Sequence, residues 1–143
     1  MIANWMKCGL TVAALSVSGA AAQDADAKFT LQLNNAATND AGACSLTFVA
    51  VNRSGQALTD SAYQVAVFDA AGVVRRILVL GFGALDDAKT RITVFALPDQ
   101  PCADISRIIV NDVAACKLED GSNGDFCMRG LATSSLTDIQ FGI

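Results

Sequence analysis

The chain has 143 residues, 52% of them hydrophobic, with 14 acidic against 10 basic side chains, a formal net charge of −4 and no histidine. The acidic balance argues against binding nucleic-acid phosphates or anionic lipid, because affinity for either rests on excess lysine and arginine. The lack of histidine excludes a Ser-His-Asp or Cys-His nucleophile, an imidazole base and the usual zinc and copper ligand sets.

At the N-terminus Lys7 precedes an apolar stretch over residues 8–20, and Ala20, Ala21 and Ala22 then supply the A-x-A pattern of a signal-peptidase site. Cleavage is expected between Ala22 and Gln23. The stretch falls short of the roughly 20 residues a spanning helix needs, and Ser16, Ser18 and Gly19 dilute it. No twin arginine precedes it, and Cys8 opens it rather than closing it, so neither the Tat route nor a lipoprotein site is indicated. The expectation is a signal peptide over 1–22, then one domain over 23–143 that is periplasmic or secreted with no stable membrane anchor after cleavage. Losing residues 1–22 removes Lys7 and no acid, so the formal charge falls from −4 to about −5.

From Lys28 onward the apolar pattern has period two, the mark of half-buried strands. Phe29, Leu31 and Leu33 form the first set, and residues 34–42 read as a mobile loop. Cys44, Leu46, Phe48 and Ala50 then alternate with Ser45 and Thr47 until Asn52-Arg53-Ser54-Gly55 supplies turn chemistry. Runs at 63–68 and 73–80 flank Asp69-Ala70-Ala71-Gly72, the strongest hairpin signal in the chain. In the second of these runs Arg75 and Arg76 project to opposite faces, so one should find an acidic partner or reach past the sheet edge. After the polar turn Asp86-Asp87-Ala88-Lys89, residues 90–97 alternate Ile92, Val94 and Ala96 with Arg91, Thr93 and Phe95, and Pro98 and Pro101 end the run. Ile108, Ile109 and Val110 mark a sixth strand, and 136–141 a weak seventh. Six or seven short strands with no long helix predict an all-β fold, an antiparallel β-sandwich.

Four cysteines remain after cleavage, Cys44, Cys102, Cys116 and Cys127, and an even count in an exported chain reads as two disulfides. Three connectivities are possible. The turn-forming run at 120–125 lets Cys116 meet Cys127, which favours that pair and, by elimination, Cys44 with Cys102. A C-x-x-C redox site is absent.

The run Val51-Asn52-Arg53-Ser54-Gly55-Gln56-Ala57-Leu58, followed by Val65-Ala66-Val67-Phe68-Asp69-Ala70-Ala71-Gly72-Val73-Val74, resembles FxLYD-like and LEA14-like extracytoplasmic β-sandwiches over residues 44–97. In those domains a strand ends in Asn with a small turn, and a later strand reads aromatic, Asp and a Gly turn. The resemblance implies an immunoglobulin-like fold and carries over no catalytic residue. The four cysteines and the tail beyond Cys116 depart from that pattern. The whole chain is also similar to small exported proteins of alphaproteobacteria, which implies a compartment and no activity.

Three further groups carry candidate chemistry. Lys28, Lys89 and Lys117 sit in polar or turn-like contexts, unlike the buried lysine of a Ser-Lys hydrolase. The loop 119–125, with Glu119, Asp120, Asn123 and Asp125, is the best candidate for calcium, although Gly124 occupies a ligand position of the EF-hand spacing and no distal Glu follows. Asn52-Arg53-Ser54 matches a glycosylation acceptor. The reading that emerges is a non-enzymatic module with no cofactor, working through contacts with a protein partner, as a free module or a pilus-like strand-exchanging subunit. The alternative is a calcium-dependent or enzymatic domain that uses residues 119–125.

Overall fold

The computed structural model describes residues 26–143, so the expected signal peptide and its cleavage point between Ala22 and Gln23 lie outside the described residues. In chain order the strands are β1 (Phe29–Thr38), β2 (Cys44–Asn52), β3 (Leu58–Asp69), β4 (Val74–Gly81), β5 (Thr90–Leu97), β6 (Ile105–Leu118), β7 (Leu131–Ser135) and β8 (Gln140–Gly142). A 3-10 turn at Cys102–Asp104 and one helical turn, α1 (Phe126–Arg129), interrupt them. Two four-stranded sheets result, ordered β5-β2-β1-β7 and β4-β3-β6-β8, and they stack as a sandwich.

Period-two alternation places the core. Phe29, Leu31 and Leu33 of β1 and Cys44, Leu46, Phe48 and Ala50 of β2 are buried, and Tyr63, Val65, Val67, Ile108 and Val110 of the second sheet share the same cluster. Each large apolar side chain so buried contributes about 1.5–3 kcal/mol against the cost of ordering the backbone. Edge-on aromatic pairs tie the sheets together: Phe48 lies 5.2 Å from Phe141 and 6.2 Å from Phe82, and Phe82 lies 5.5 Å from Phe95.

Two turns share one construction. Asp69 Oδ1 accepts from the N–H groups of Ala71 and Val73, while the Gly72 N–H donates to the Asp69 carbonyl. Asn39 does the same with Ala41, Ala43 and Gly42. Gly72 has φ +78°, a left-handed conformation that only glycine adopts without steric penalty. The expected 34–42 loop is therefore corrected: β1 passes through a bulge between Leu33 and Asn35 and continues paired to Thr38↔Cys44.

The C-terminal third differs further. The strand expected at 136–141 survives only as β8, and Leu131–Ser135 forms a strand that the weak apolarity of Leu-Ala-Thr-Ser-Ser conceals. Among the described residues the strands number eight, and two pairings are parallel: Phe29↔Leu131 opens the β1–β7 ladder, and Ile108↔Phe141 lies in the β6–β8 ladder. Parallel neighbours need long connections, and here nearly the whole chain separates β1 from β7.

Both disulfides sit where the chain passes between sheets. Cys44 opens β2, and Cys102 lies in the connection from β5 to β6. Cys116 lies on β6, and Cys127 on α1, in the connection to β7. The pairing is the one the sequence favours, and disulfides of this kind belong to an oxidising compartment outside the cytosol.

Candidate functional site

Most of the carboxylates singled out in the sequence hold turns. Asp87 Oδ1 accepts the Gly55 N–H at 2.9 Å, and Ala88 takes a left-handed φ of 60° while its N–H donates to the Asn52 carbonyl. Asp87 and Ala88 thus lock the connection between β4 and β5 to the β2–β3 turn, while the Asp86 carbonyl accepts the Lys89 N–H within its own turn. Asp69 is paired with Arg75 at 2.6 Å, which answers the question of which strand arginine finds an acid. Hydrogen bonds from Val73 first, and then Arg75 and Ala71, hold its carboxyl below the ordinary value. Arg76 instead donates to the Pro98 carbonyl, bridging the end of β5.

In the 119–125 loop, Asp120 Oδ1 accepts from the Ser122 hydroxyl at 2.5 Å and its N–H at 2.9 Å. Those bonds lower its pKa. Gly124 packs so closely that a Cβ there would lie 2.8 Å from Phe126 and 3.1 Å from Cys116 Sγ. The loop is a disulfide-closed turn, with Leu118 N–H bonded to Ser122 O and Gly124 N–H to Cys116 O. Among the described residues no three of Cys, Asp and Glu converge as a metal cluster. Lys28, Lys89 and Lys117 are exposed.

Asn52 does not present an accessible glycosylation amide. It is fully buried; its Nδ2 donates to the Gln56 and Leu85 carbonyls, and its Oδ1 accepts from the N–H and hydroxyl of Ser54. A side chain with its donors and acceptors so engaged is a structural pin. The sequence signal was present, an Asn at the end of a strand before a small turn, but its burial was not.

The most prominent concavity among the described residues, about 540 Å³, lies at the β3–β4 hairpin between Asp69, Arg75, Arg76, Asp99, Gln100 and Asp104. Its charges partly pair with each other. Gln100 is buried with its Oε1 unpartnered by protein, and its own carbonyl accepts the Cys44 N–H.

The other unusual surface is apolar. β4 and β5 are free edges, one in each sheet, and they lie on the same side of the sandwich, as the Arg76–Pro98 bond and the Phe82–Phe95 contact show. On β5 it is Arg91, Thr93, Phe95 and Leu97 that turn inward, leaving Ile92 and Val94 in solvent. On β4 Leu78 and Leu80 turn inward, leaving Ile77 and Val79 in solvent. The signal missed in the sequence was that both alternating sets of each strand carry apolar residues, so alternation alone could not say which set is covered. No helix among the described residues is long and apolar enough to cross a membrane. Comparison with known proteins finds no family model, no curated protein and no solved structure that matches this chain.

Proposed function

We propose that this chain is an exported, periplasmic or secreted, non-enzymatic module that works through protein contacts. The observation that carries the reading is the side of the sandwich formed by β4 and β5, where two free edge strands expose Ile77, Val79, Ile92 and Val94. Unpaired edges flanked by outward aliphatic residues are surfaces on which other chains add strands. The disulfides support export, as does the signal-like sequence of residues 1–22. The order β5-β2-β1 facing β4-β3-β6, with β7 and β8 as additions, favours an immunoglobulin-like arrangement, while the likeness to FxLYD-like and LEA14-like domains rests on the sequence resemblance alone.

The test is affinity capture of the oxidised 23–143 domain from periplasmic extract, with mass spectrometry of what co-purifies, alongside melting with and without calcium. The reading expects a protein that is retained by the native domain and lost from an Ile77→Lys/Ile92→Lys variant, and an unchanged Tm. A calcium-dependent rise in Tm would instead support the alternative reading of the 119–125 loop, because a ligand bound only by the folded state stabilises it.

A further inference from the structure

We propose that the concavity between the β3–β4 hairpin and the β5–β6 connection binds a zwitterionic amino compound, an α-amino acid or short peptide held by its ammonium and carboxylate groups. The site goes beyond the protein contacts proposed above and does not rest on them.

The two sides of the concavity carry opposite charge. The hairpin contributes one acid and two arginines, Asp69, Arg75 and Arg76, and the connection contributes two acids and no base, Asp99 and Asp104. Neither arginine is used up. Arg75 gives its Nε to Asp69 and Arg76 gives one terminal nitrogen to the Pro98 carbonyl, so each guanidinium keeps further N–H groups to donate. Asp99 and Asp104 form no ion pair among the described residues.

The observation that points to a ligand is Gln100. It lines the same concavity beside those acids, is only 6% exposed, and its Oε1 has no hydrogen-bond partner among the described residues. A buried amide oxygen ordinarily accepts a bond, and leaving it without one costs stability that a donor entering the concavity would restore. The surroundings are fixed in advance. The Gln100 carbonyl accepts the Cys44 N–H, Cys102 is bridged to Cys44, and the Asp104 N–H donates to the Pro101 carbonyl. Binding therefore costs little ordering of the chain.

These groups select the ligand. An ammonium has three N–H donors, which suit two carboxylates and one amide oxygen, and a carboxylate suits the free guanidinium N–H groups. A lone anion would meet Asp99, Asp104 and the Gln100 oxygen, and a lone cation would share the concavity with Arg75 and Arg76. A neutral sugar would desolvate those charges without offsetting them, and no aromatic ring lines the concavity for it to stack on. A quaternary betaine carries both charges but has no N–H for Gln100. The volume, about 540 Å³, is ample for an amino acid or a peptide of two residues.

The probes are L-alanine and L-alanyl-L-alanine, whose small side chains leave the head groups to decide. Each is titrated to about 20 mM against the oxidised protein and followed by amide chemical shifts, a range that brackets the Kd on the order of 1 mM expected for so few atoms. Saturable shifts confined to residues 69–76 and 99–104 are expected. Tighter binding of alanine names a free amino acid as the ligand, and tighter binding of the dipeptide names a peptide. N-acetylalanine, alaninamide and glycine betaine, which lack the ammonium, the carboxylate and the N–H respectively, should each bind about tenfold more weakly or worse. Asp99→Asn/Asp104→Asn should weaken binding by a similar factor with an unchanged near-ultraviolet spectrum, because both side chains are exposed and asparagine tolerates the left-handed φ of 59° at position 99. Gln100→Met should weaken it likewise, and if that buried variant misfolds the aspartate pair decides. The proposal is overturned by the absence of saturable shifts, by equal binding of any blocked analogue, by binding that the aspartate variant leaves intact, or by calcium occupying these residues in place of the probes.

Discussion

The Tyr63 hydroxyl donates to the Cys127 carbonyl at 2.7 Å, joining the middle of β3 to the disulfide-bearing helical turn that leads into the opposite sheet. Tyr63 is fully buried, and its ring packs 5.7 Å from Phe29 of β1. One side chain therefore fastens both sheets and the connection between them.

Tyr63→Phe should leave the Cys127 carbonyl without this partner and cost about 1–3 kcal/mol, measured by urea unfolding. Burial also raises the Tyr63 pKa above its ordinary value of 10.0. The folded state thus holds that proton where the unfolded chain releases it, so stability should fall as pH rises above 10. Native stability should decline across that alkaline range, and the Phe variant should lose this component of the decline.

Asn52→Ala should cost about 2–4 kcal/mol, because the Gln56 and Leu85 carbonyls lose a donor in a buried site. Asn52→Asp should cost more at neutral pH, since a buried carboxylate would face those same carbonyls. Burial would raise that carboxyl's pKa, so the loss should shrink as the pH falls through the acid range. Chemical denaturation of the Asp variant at neutral and acid pH checks the sign.

The fold was most legible where chemistry is local. Asp69-Ala70-Ala71-Gly72 announces its hairpin because Asp caps the turn and Gly takes the left-handed position. Asn39-Asp40-Ala41-Gly42 carries the same signal, yet the preceding bulge broke the alternation of β1 and made a paired segment read as loop. The facing of β4 and β5 was not legible, because at an edge even the inward set is only half covered and residues such as Arg91 and Thr93 can occupy it. The C-terminal strands were hidden for another reason: parallel pairings are specified by distant contacts, and β7 has little apolar character to declare it. Of the candidate sites, the disulfide pairing was readable from loop chemistry, whereas the role of Asn52 depended on burial that the sequence does not express.

Asp69→Asn keeps an acceptor for Ala71 and Val73 but loses the charge that pairs with Arg75. The Asp69 pKa is lowered from 3.8, chiefly by the Val73 N–H, so its contribution is complete above that value and disappears as pH falls through the lower folded-state pKa. The Tm difference between native and variant should therefore be constant near neutrality and close as the pH falls below 3.8 through the lowered folded-state pKa. A difference that persists undiminished into strong acid would separate the effect from the carboxylate.

Removing the bridge of separation 58 should destabilise more than removing that of separation 11, by about 4 against about 3 kcal/mol on loop entropy alone. Paired Cys44→Ala/Cys102→Ala and Cys116→Ala/Cys127→Ala variants, unfolded in urea, give the order.

Two closed bridges fasten the passages between the sheets, and the fold depends on both. The most direct measurement is proteolytic mapping of the native protein without reductant. It should yield one cross-linked species joining Cys44 to Cys102, another joining Cys116 to Cys127, and no free thiol at any of the four. Alkylatable thiols at these positions, or Cys44 joined to Cys116 or Cys127, would contradict it.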